Sequence, residues 1–157
     1  MLRVKKKTAA FYVFAVAECV LSFFNFGIGL HDGCSVTDRM LYPFLHANIF
    51  HAMLNLLVLW QCVKAFPRWK ALVAFYIIAI SYPLPSEHPI VGLSGLLYAY
   101  MGYIEPVVRD KLRYNLLIVI YLLIGLLVPN MAVGIHVYCY AAGLLWGYLN
   151  APVWTDE

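Results

Sequence analysis

The charged residues of this chain are few, and they stand in clusters that separate long apolar stretches. Of its 157 residues, 64% are hydrophobic and 12% are charged, whereas a water-soluble domain normally carries about a quarter charged residues. So few charges cannot cover a soluble surface of this size. The composition therefore predicts a protein dissolved in lipid, and it excludes a cytosolic enzyme, a disordered tail and a nucleic-acid binder.

The positions of the basic residues predict a topology. Ten of the eleven fall in clusters at residues 3–7, 64–70 and 109–113, and Arg39 stands alone. Basic clusters mark the cytoplasmic side of a membrane, and one helical span needs roughly 20 apolar residues. We therefore predict an all-α membrane protein, a six-transmembrane-helix bundle with both termini cytoplasmic.

One domain over residues 1–157 accounts for the whole chain, with short cytoplasmic tails predicted at about 1–7 and 151–157. A basic cluster followed by an apolar run is also typical of a signal peptide. Because the apolar run continues to Leu30, we interpret it as a retained first helix. A polar outer loop over 31–43 follows it, and the six spans are predicted at about 8–30, 44–63, 69–82, 92–104, 114–128 and 133–149.

The predicted spans contain very few polar side chains, and each is a candidate functional group because such residues are costly in lipid. The second, fourth and sixth spans all start at the outer face, so the polar residues near their starts share one shallow layer. Three predicted helices place serine, histidine and amide groups at the same depth. This coincidence favours a functional site over packing alone. Glu18, in the first span, is interpreted as structural. The remaining five are His46, His51, Asn55, Ser94 and His136.

Ser94 and His136 have the chemistry of a nucleophile and its base. A serine hydroxyl attacks well only when a neighbouring base takes its proton, and histidine is the usual partner. Ser94 lies between Gly92 and Gly95 at a predicted helix start. Glycines there allow close backbone approach, and the free N–H groups of the first turn suit a developing oxyanion.

The histidines of the second predicted span divide into two kinds. His51 and Asn55 are four residues apart, so they share a helix face and can donate to the same oxyanion. His46 is five residues before His51, about 140° away around a helix, and is expected to face elsewhere with a structural role.

Packing alone explains each of these features separately. A Gly-x-Ser-Gly motif and a lone histidine both occur in tightly packed membrane helices. Gly143 and Gly147 form a GxxxG motif whose simplest role is close helix packing. Because they follow His136 on one helix, that packing would also hold the histidine near Ser94.

Together the motifs resemble the rhomboid family of intramembrane serine proteases. The family pattern is a histidine with an asparagine four residues later on the second helix, GxSG opening the fourth, and a histidine followed by GxxxG on the sixth. The resemblance extends from about Arg39 to Tyr148, and the matching residues are His51, Asn55, Gly92, Ser94, Gly95, His136, Gly143 and Gly147.

The resemblance implies a role for each residue of the layer. Ser94 would be the nucleophile and His136 the base, and the Ser94 N–H would form an oxyanion hole with His51 and Asn55. Tyr98, four residues after Ser94, matches the aromatic residue that packs against the catalytic histidine. His46 resembles a structural histidine of the family's second helix, and no metal or cofactor is implied.

The chain departs from the family pattern in two places. The first outer loop has only about thirteen residues, and Asp38 rather than tryptophan precedes its arginine. Cys139 stands where the family's sixth helix commonly has glycine. The other cysteines, Cys19, Cys34 and Cys62, show no CxxC spacing, so neither a disulfide framework nor a thiolate metal site is expected.

The sequence therefore predicts an intramembrane serine endopeptidase that cleaves the transmembrane segments of other proteins near the outer face of a bacterial plasma membrane. The first alternative is a non-proteolytic rhomboid-like protein that binds membrane helices for trafficking or quality control, and such relatives typically lack the dyad. The second is a small transporter or channel, which would need polar residues along the whole depth of a pathway.

Overall fold

The described part of the chain, in the computed structural model, is helical and contains no strand; it comprises residues 2–24, 27–65, 71–83, 86, 88–127 and 131–150. This confirms the all-α class. Two 3₁₀ turns, Tyr42–Phe44 and Glu105–Val107, each contain a proline and follow directly on a helix. The α-helices are α1 (Leu2–Leu21), α2 (Val36–Leu41), α3 (Ile49–Ala65), α4 (Ala71–Ile80), α5 (Ser94–Ile104), α6 (Lys111–Leu127) and α7 (Val133–Asn150).

Six of these helices coincide with the six predicted stretches, and α4 to α7 agree with them to within a few residues. α1 begins at Leu2 and therefore extends through the residues predicted as the N-terminal tail. Three further predicted features, the basic segment 66–70, the turn at 128–130 and the tail at 151–157, lie outside the described residues.

The predicted end of the first helix near Leu30 is wrong. α1 ends at Leu21, and Leu30 and Ile90 instead exchange two backbone hydrogen bonds of 2.9 Å. Gly29 permits this pairing, because a Cβ there would lie 2.5 Å from the Pro89 Cβ. Extended backbone pairing buries an apolar segment as well as a helix does. Hydropathy alone therefore does not distinguish a helix from an extended segment.

The outer loop predicted over 31–43 contains α2, a short helix that the prediction missed. The Ser35 hydroxyl accepts the Asp38 N–H at 3.1 Å, and the Asp38 carboxylate accepts the Ser35 N–H at 3.0 Å. This reciprocal pair is a capping box. Arg39, the base outside the clusters, donates to the carbonyls of Ile80 and Tyr82 at 3.0 and 2.7 Å. α2 is thereby fastened to the end of α4.

α5 and α7 pack in parallel with their backbones in contact. A Cβ at Gly143 would overlap the carbonyl of Ala99, and a Cβ at Gly102 would overlap that of Tyr140. A Cβ at Gly147 would lie 2.5 Å from a carbonyl oxygen of α5. α5 also contacts α3 and α4, so it is the central helix of the bundle.

No helix in the described ranges is, by itself, both long and apolar enough to cross a membrane. By length and composition, one pair meets that requirement together, Val36–Phe44 with Ile49–Lys64, and it bends by 77° at the break.

Candidate active site

The structure brings Ser94 and His136 into hydrogen-bond contact. Ser94 is the first residue of α5 and His136 lies in the first turn of α7. Because the two helices run in parallel, their first turns are neighbours. His136 Nε2 is 2.8 Å from Ser94 Oγ, and the imidazole is buried. This is the distance and geometry at which a histidine can take the proton of a serine hydroxyl.

The Tyr98 ring holds the plane of the His136 imidazole. Their ring centroids are 4.5 Å apart and their planes differ by 18°, a stacked arrangement. Tyr98 is one helical turn after Ser94, so α5 presents both side chains to the same imidazole. Among the described residues no carboxylate bonds to His136, so the stacked ring is the contact that can orient the imidazole, as a carboxylate does in a triad.

A cradle of hydrogen-bond donors lies beside Gly92, two residues before the serine. Gly92 has φ +116°, a conformation that favours glycine. A Cβ there would lie 3.1 Å from His51 Nε2 and 3.3 Å from Asn55 Nδ2. Any side chain at 92 would therefore fill the space in front of both donors.

Asn55 is the unsatisfied member of this cradle. It is 7% exposed, and its Nδ2 has no hydrogen-bond partner within the described part of the chain. Leaving a buried donor unpaired costs about 1–3 kcal/mol, so such groups are rare in structural cores and call for an explanation. The Ser94 N–H also opens a helix and has no intrahelical acceptor. Donors arranged in this way suit a transient oxyanion.

Gly95 and Cys139 meet at the crossing of α5 and α7. A Cβ at Gly95 would lie 3.4 Å from the Cys139 sulfur, and Cys139 is completely buried. The missing side chain of Gly95 thus leaves room for the thiol where the family pattern has glycine. Farther along α7, Gly143 and Gly147 hold the helix that carries His136 against α5.

His46 is not where the sequence placed it. α3 begins at Ile49, where the Asn48 side chain accepts the His51 N–H at 2.9 Å, so His46 precedes the helix. The 140° separation therefore does not apply, and the prediction that His46 faces away from His51 is wrong. The two rings meet edge to face, with centroids 5.2 Å apart.

His46 joins α1 to the start of α5, a link that sequence reasoning missed. Its Nδ1 lies 3.2 Å from Glu18 Oε2, and its Nε2 accepts the Leu93 N–H at 3.5 Å. Glu18 was expected to be structural, and it contacts a histidine of the site layer. The available signal was that Glu18 is an acid in the middle of an apolar stretch.

Among the residues that the structure describes, no three His, Cys, Asp or Glu side chains lie close enough together to hold a metal ion. All four cysteines are free thiols.

No family model and no curated protein sequence matches the chain. The site places a serine hydroxyl against a histidine nitrogen, beside a stacked aromatic ring and a cradle of hydrogen-bond donors.

Proposed function

We propose that this chain is an intramembrane serine endopeptidase of the rhomboid type, which cleaves transmembrane segments of other membrane proteins near the outer face of a bacterial plasma membrane. The observation that carries the proposal is the 2.8 Å contact between Ser94 Oγ and His136 Nε2, next to the buried and unpartnered Asn55 amide. A serine–histidine hydrogen bond with a purely structural role would need neither the unpartnered Asn55 amide nor a glycine with positive φ, such as Gly92, beside it.

The surface of the bundle supports a membrane location. Large apolar side chains are exposed on several helices; examples are Phe50 on α3, Leu112 and Leu127 on α6, and Leu149 on α7. Monomeric soluble proteins rarely expose contiguous apolar patches beyond a few hundred Å², whereas lipid is a good solvent for them. With the basic clusters on the cytoplasmic side, the first turns of α5 and α7 face outward, and the site is within reach of external water.

The proposed reaction follows serine-protease chemistry. Ser94 Oγ attacks the scissile carbonyl carbon while His136 Nε2 takes the hydroxyl proton. The carbonyl oxygen becomes an oxyanion, which the Ser94 N–H, His51 and Asn55 stabilise by hydrogen bonds. The C–N bond then breaks as the imidazolium protonates the leaving amine. Water, deprotonated by His136, attacks the acyl ester, releases a carboxylic acid product and regenerates the serine.

The substrate segment must be partly unwound at the cleavage site. Carbonyls within a helix are hydrogen-bonded and sterically shielded, so an intact helix cannot present one to Ser94. Residues that weaken helices, such as glycine and proline, lower the cost of unwinding. Substrates with small or helix-weakening residues near the outer membrane surface are therefore expected to be preferred.

The proposal is tested with the full chain in liposomes containing a reporter transmembrane substrate. Ser94→Ala is expected to abolish cleavage, whereas the control Ser22→Ala, which removes only a hydroxyl bonded to the Cys19 carbonyl, is expected to retain it. A fluorophosphonate probe is expected to label Ser94 in the wild type and to lose this labelling in His136→Ala. Undiminished cleavage by Ser94→Ala would overturn the proposal. A protein that only binds helices would retain substrate without cleavage or labelling.

A further inference from the structure

A buried carboxylate outside the catalytic dyad contacts the site layer. Glu18, near the end of α1, is 1% exposed, and its Oε2 lies 3.2 Å from His46 Nδ1. Neither atom forms a hydrogen bond of regular geometry with a described residue, so the 3.2 Å ion-pair contact is the polar contact that the structure gives them. A buried charged group is costly unless it is paired. The arrangement therefore requires that each of these two atoms satisfies the other.

The other ring nitrogen of His46 determines which atom carries the proton. Nε2 lies 3.5 Å from the Leu93 backbone nitrogen, a long hydrogen bond in which the N–H donates. A neutral imidazole has one N–H and one acceptor nitrogen, so an acceptor at Nε2 places the proton on Nδ1. Nδ1–H then faces Glu18 Oε2, an oxygen that can accept it. A protonated Glu18 that donated to Nδ1 would place a proton on Nε2, against the Leu93 N–H.

The Leu93 N–H belongs to the residue directly before the nucleophile. Leu93 is almost fully buried, and a buried backbone donor needs an acceptor. Its position sets where the Ser94 N–H and hydroxyl begin α5. The same imidazole lies edge to face against His51 at 5.2 Å. One ring thus supports the nucleophile's turn on one side and an oxyanion donor on the other.

We propose that Glu18 is a positioning residue for the Ser94 centre. Its carboxylate holds His46 as the Nδ1–H tautomer, and His46 Nε2 in turn holds the Leu93 N–H and the turn that presents Ser94. This assignment rests on the proposed protease function for its catalytic consequence. The tautomer and the Leu93 hydrogen bond are measurable without any substrate.

Two variants of Glu18 separate hydrogen bonding from packing. Glu18→Gln retains an oxygen acceptor at similar reach, and Glu18→Met retains the approximate size without one. Glu18→Met is expected to lower kcat about tenfold with KM unchanged, the effect of one lost positioning hydrogen bond, and Glu18→Gln is expected to remain within about twofold of the wild type. A matched control is Glu105→Met, which removes another buried carboxylate, one that accepts bonds from Asn115 and Tyr148. It is expected to lower thermal stability and leave kcat unchanged.

Nitrogen-15 spectra of histidine-labelled protein in nanodiscs provide the readout that a merely structural role would not change. The His46 signals, assigned with His46→Gln, are expected to show the Nδ1–H tautomer in the wild type and in Glu18→Gln. In Glu18→Met the Nδ1–H loses its acceptor, so the preference for that tautomer is expected to weaken to a mixture, and the Leu93 amide is expected to exchange faster with solvent. A Glu18→Met protein with an unchanged tautomer and unchanged kcat overturns the assignment.

The two proposals fail in different ways. If the protein is not a protease, the wild type neither cleaves the reporter nor reacts at Ser94 with the fluorophosphonate, and the catalytic role of Glu18 falls with it. If only the positioning role is wrong, the wild type cleaves and Glu18→Met cleaves at the same rate. A Glu18→Met protein that does not fold is replaced by Glu18→Leu and His46→Gln, for which lower kcat at unchanged KM supports the role and wild-type kcat refutes it.

Discussion

Replacing Gly143 with alanine tests whether backbone contact between α5 and α7 sets the dyad distance. An added Cβ would overlap the Ala99 carbonyl and lie 2.8 Å from the Ala99 Cα, whereas non-bonded carbons pack at about 3.5–4.0 Å. Both obstructing atoms belong to backbone and cannot rotate away. The helices must therefore separate by roughly 1 Å at this crossing.

The separation acts on the dyad because position 143 is about two turns along α7 from His136. A shift of roughly 1 Å would lengthen the contact between Ser94 Oγ and His136 Nε2 from 2.8 Å beyond hydrogen-bond range. A misplacement of that size costs about 10²-fold in rate, and overpacking of this kind destabilises by about 1–3 kcal/mol. We expect Gly143→Ala to lose about 10²-fold in kcat while remaining folded.

The assay measures kcat for a reporter transmembrane substrate in liposomes, well below the unfolding temperature, together with the rate of fluorophosphonate labelling. Gly125→Ala on α6 is the matched control. Its Cβ would meet the Met131 sulfur at 2.8 Å, the far part of a flexible side chain that can move. Gly143→Ala with the kcat and stability of the wild type would refute the inference that these glycines set the dyad geometry.

Three further predictions follow from the site and the outer loop. Asn55→Ala is expected to lower kcat about 10²–10³-fold with little change in KM, because it removes a donor used only by the oxyanion; an equal rise in KM would contradict that role. Tyr98→Leu is expected to slow cleavage up to about tenfold, because stacked rings contribute about 0.5–1.5 kcal/mol beyond their burial. Tyr98→Phe is expected to retain both the stacking and the cleavage rate. Equal cleavage rates in the two variants would exclude the stacking role. The hydrogen bonds from Ser35 hold the pKa of Asp38 below its usual range, so the stabilisation of α2 by the ionised carboxylate is complete above the ordinary carboxyl range. That stabilisation is lost as the pH falls through the lowered pKa, and pH-dependent amide exchange over α2 checks this, with Asp38→Asn expected to remove the dependence.

The predicted helices were most accurate where charge or proline interrupts an apolar run. α5, α6 and α7 lie close to their predicted bounds because charge or proline separates them in the sequence. The errors occur where an apolar segment is buried without being helical. Leu30 pairs with Ile90 as extended backbone, and the residues before Ile49 bury His46 in an irregular segment. Hydropathy indicates which segments are buried, and a buried segment can be helical, extended or irregular.

The short helix α2 has a local sequence signal for its start, which the polar composition of the segment obscured. The Ser35 and Asp38 capping box was present in the sequence, yet a polar stretch of about thirteen residues was interpreted only as a loop. Arg39 likewise stood out as an isolated base, but its acceptors are carbonyls at the end of α4. Backbone carbonyls occur at every residue, so no sequence pattern marks the ones that a distant arginine binds.

Spacing within one helix was enough to relate His51 to Asn55 and Ser94 to Tyr98, because residues four apart share a helix face in any α-helix. Apolar runs and basic clusters were likewise enough to predict an all-helical chain. The 2.8 Å contact between Ser94 and His136 and the link from Glu18 to His46 depend on tertiary packing. They join elements far apart in the chain, and their distances are set by how closely backbones approach at glycines such as Gly143, which a one-dimensional pattern does not contain.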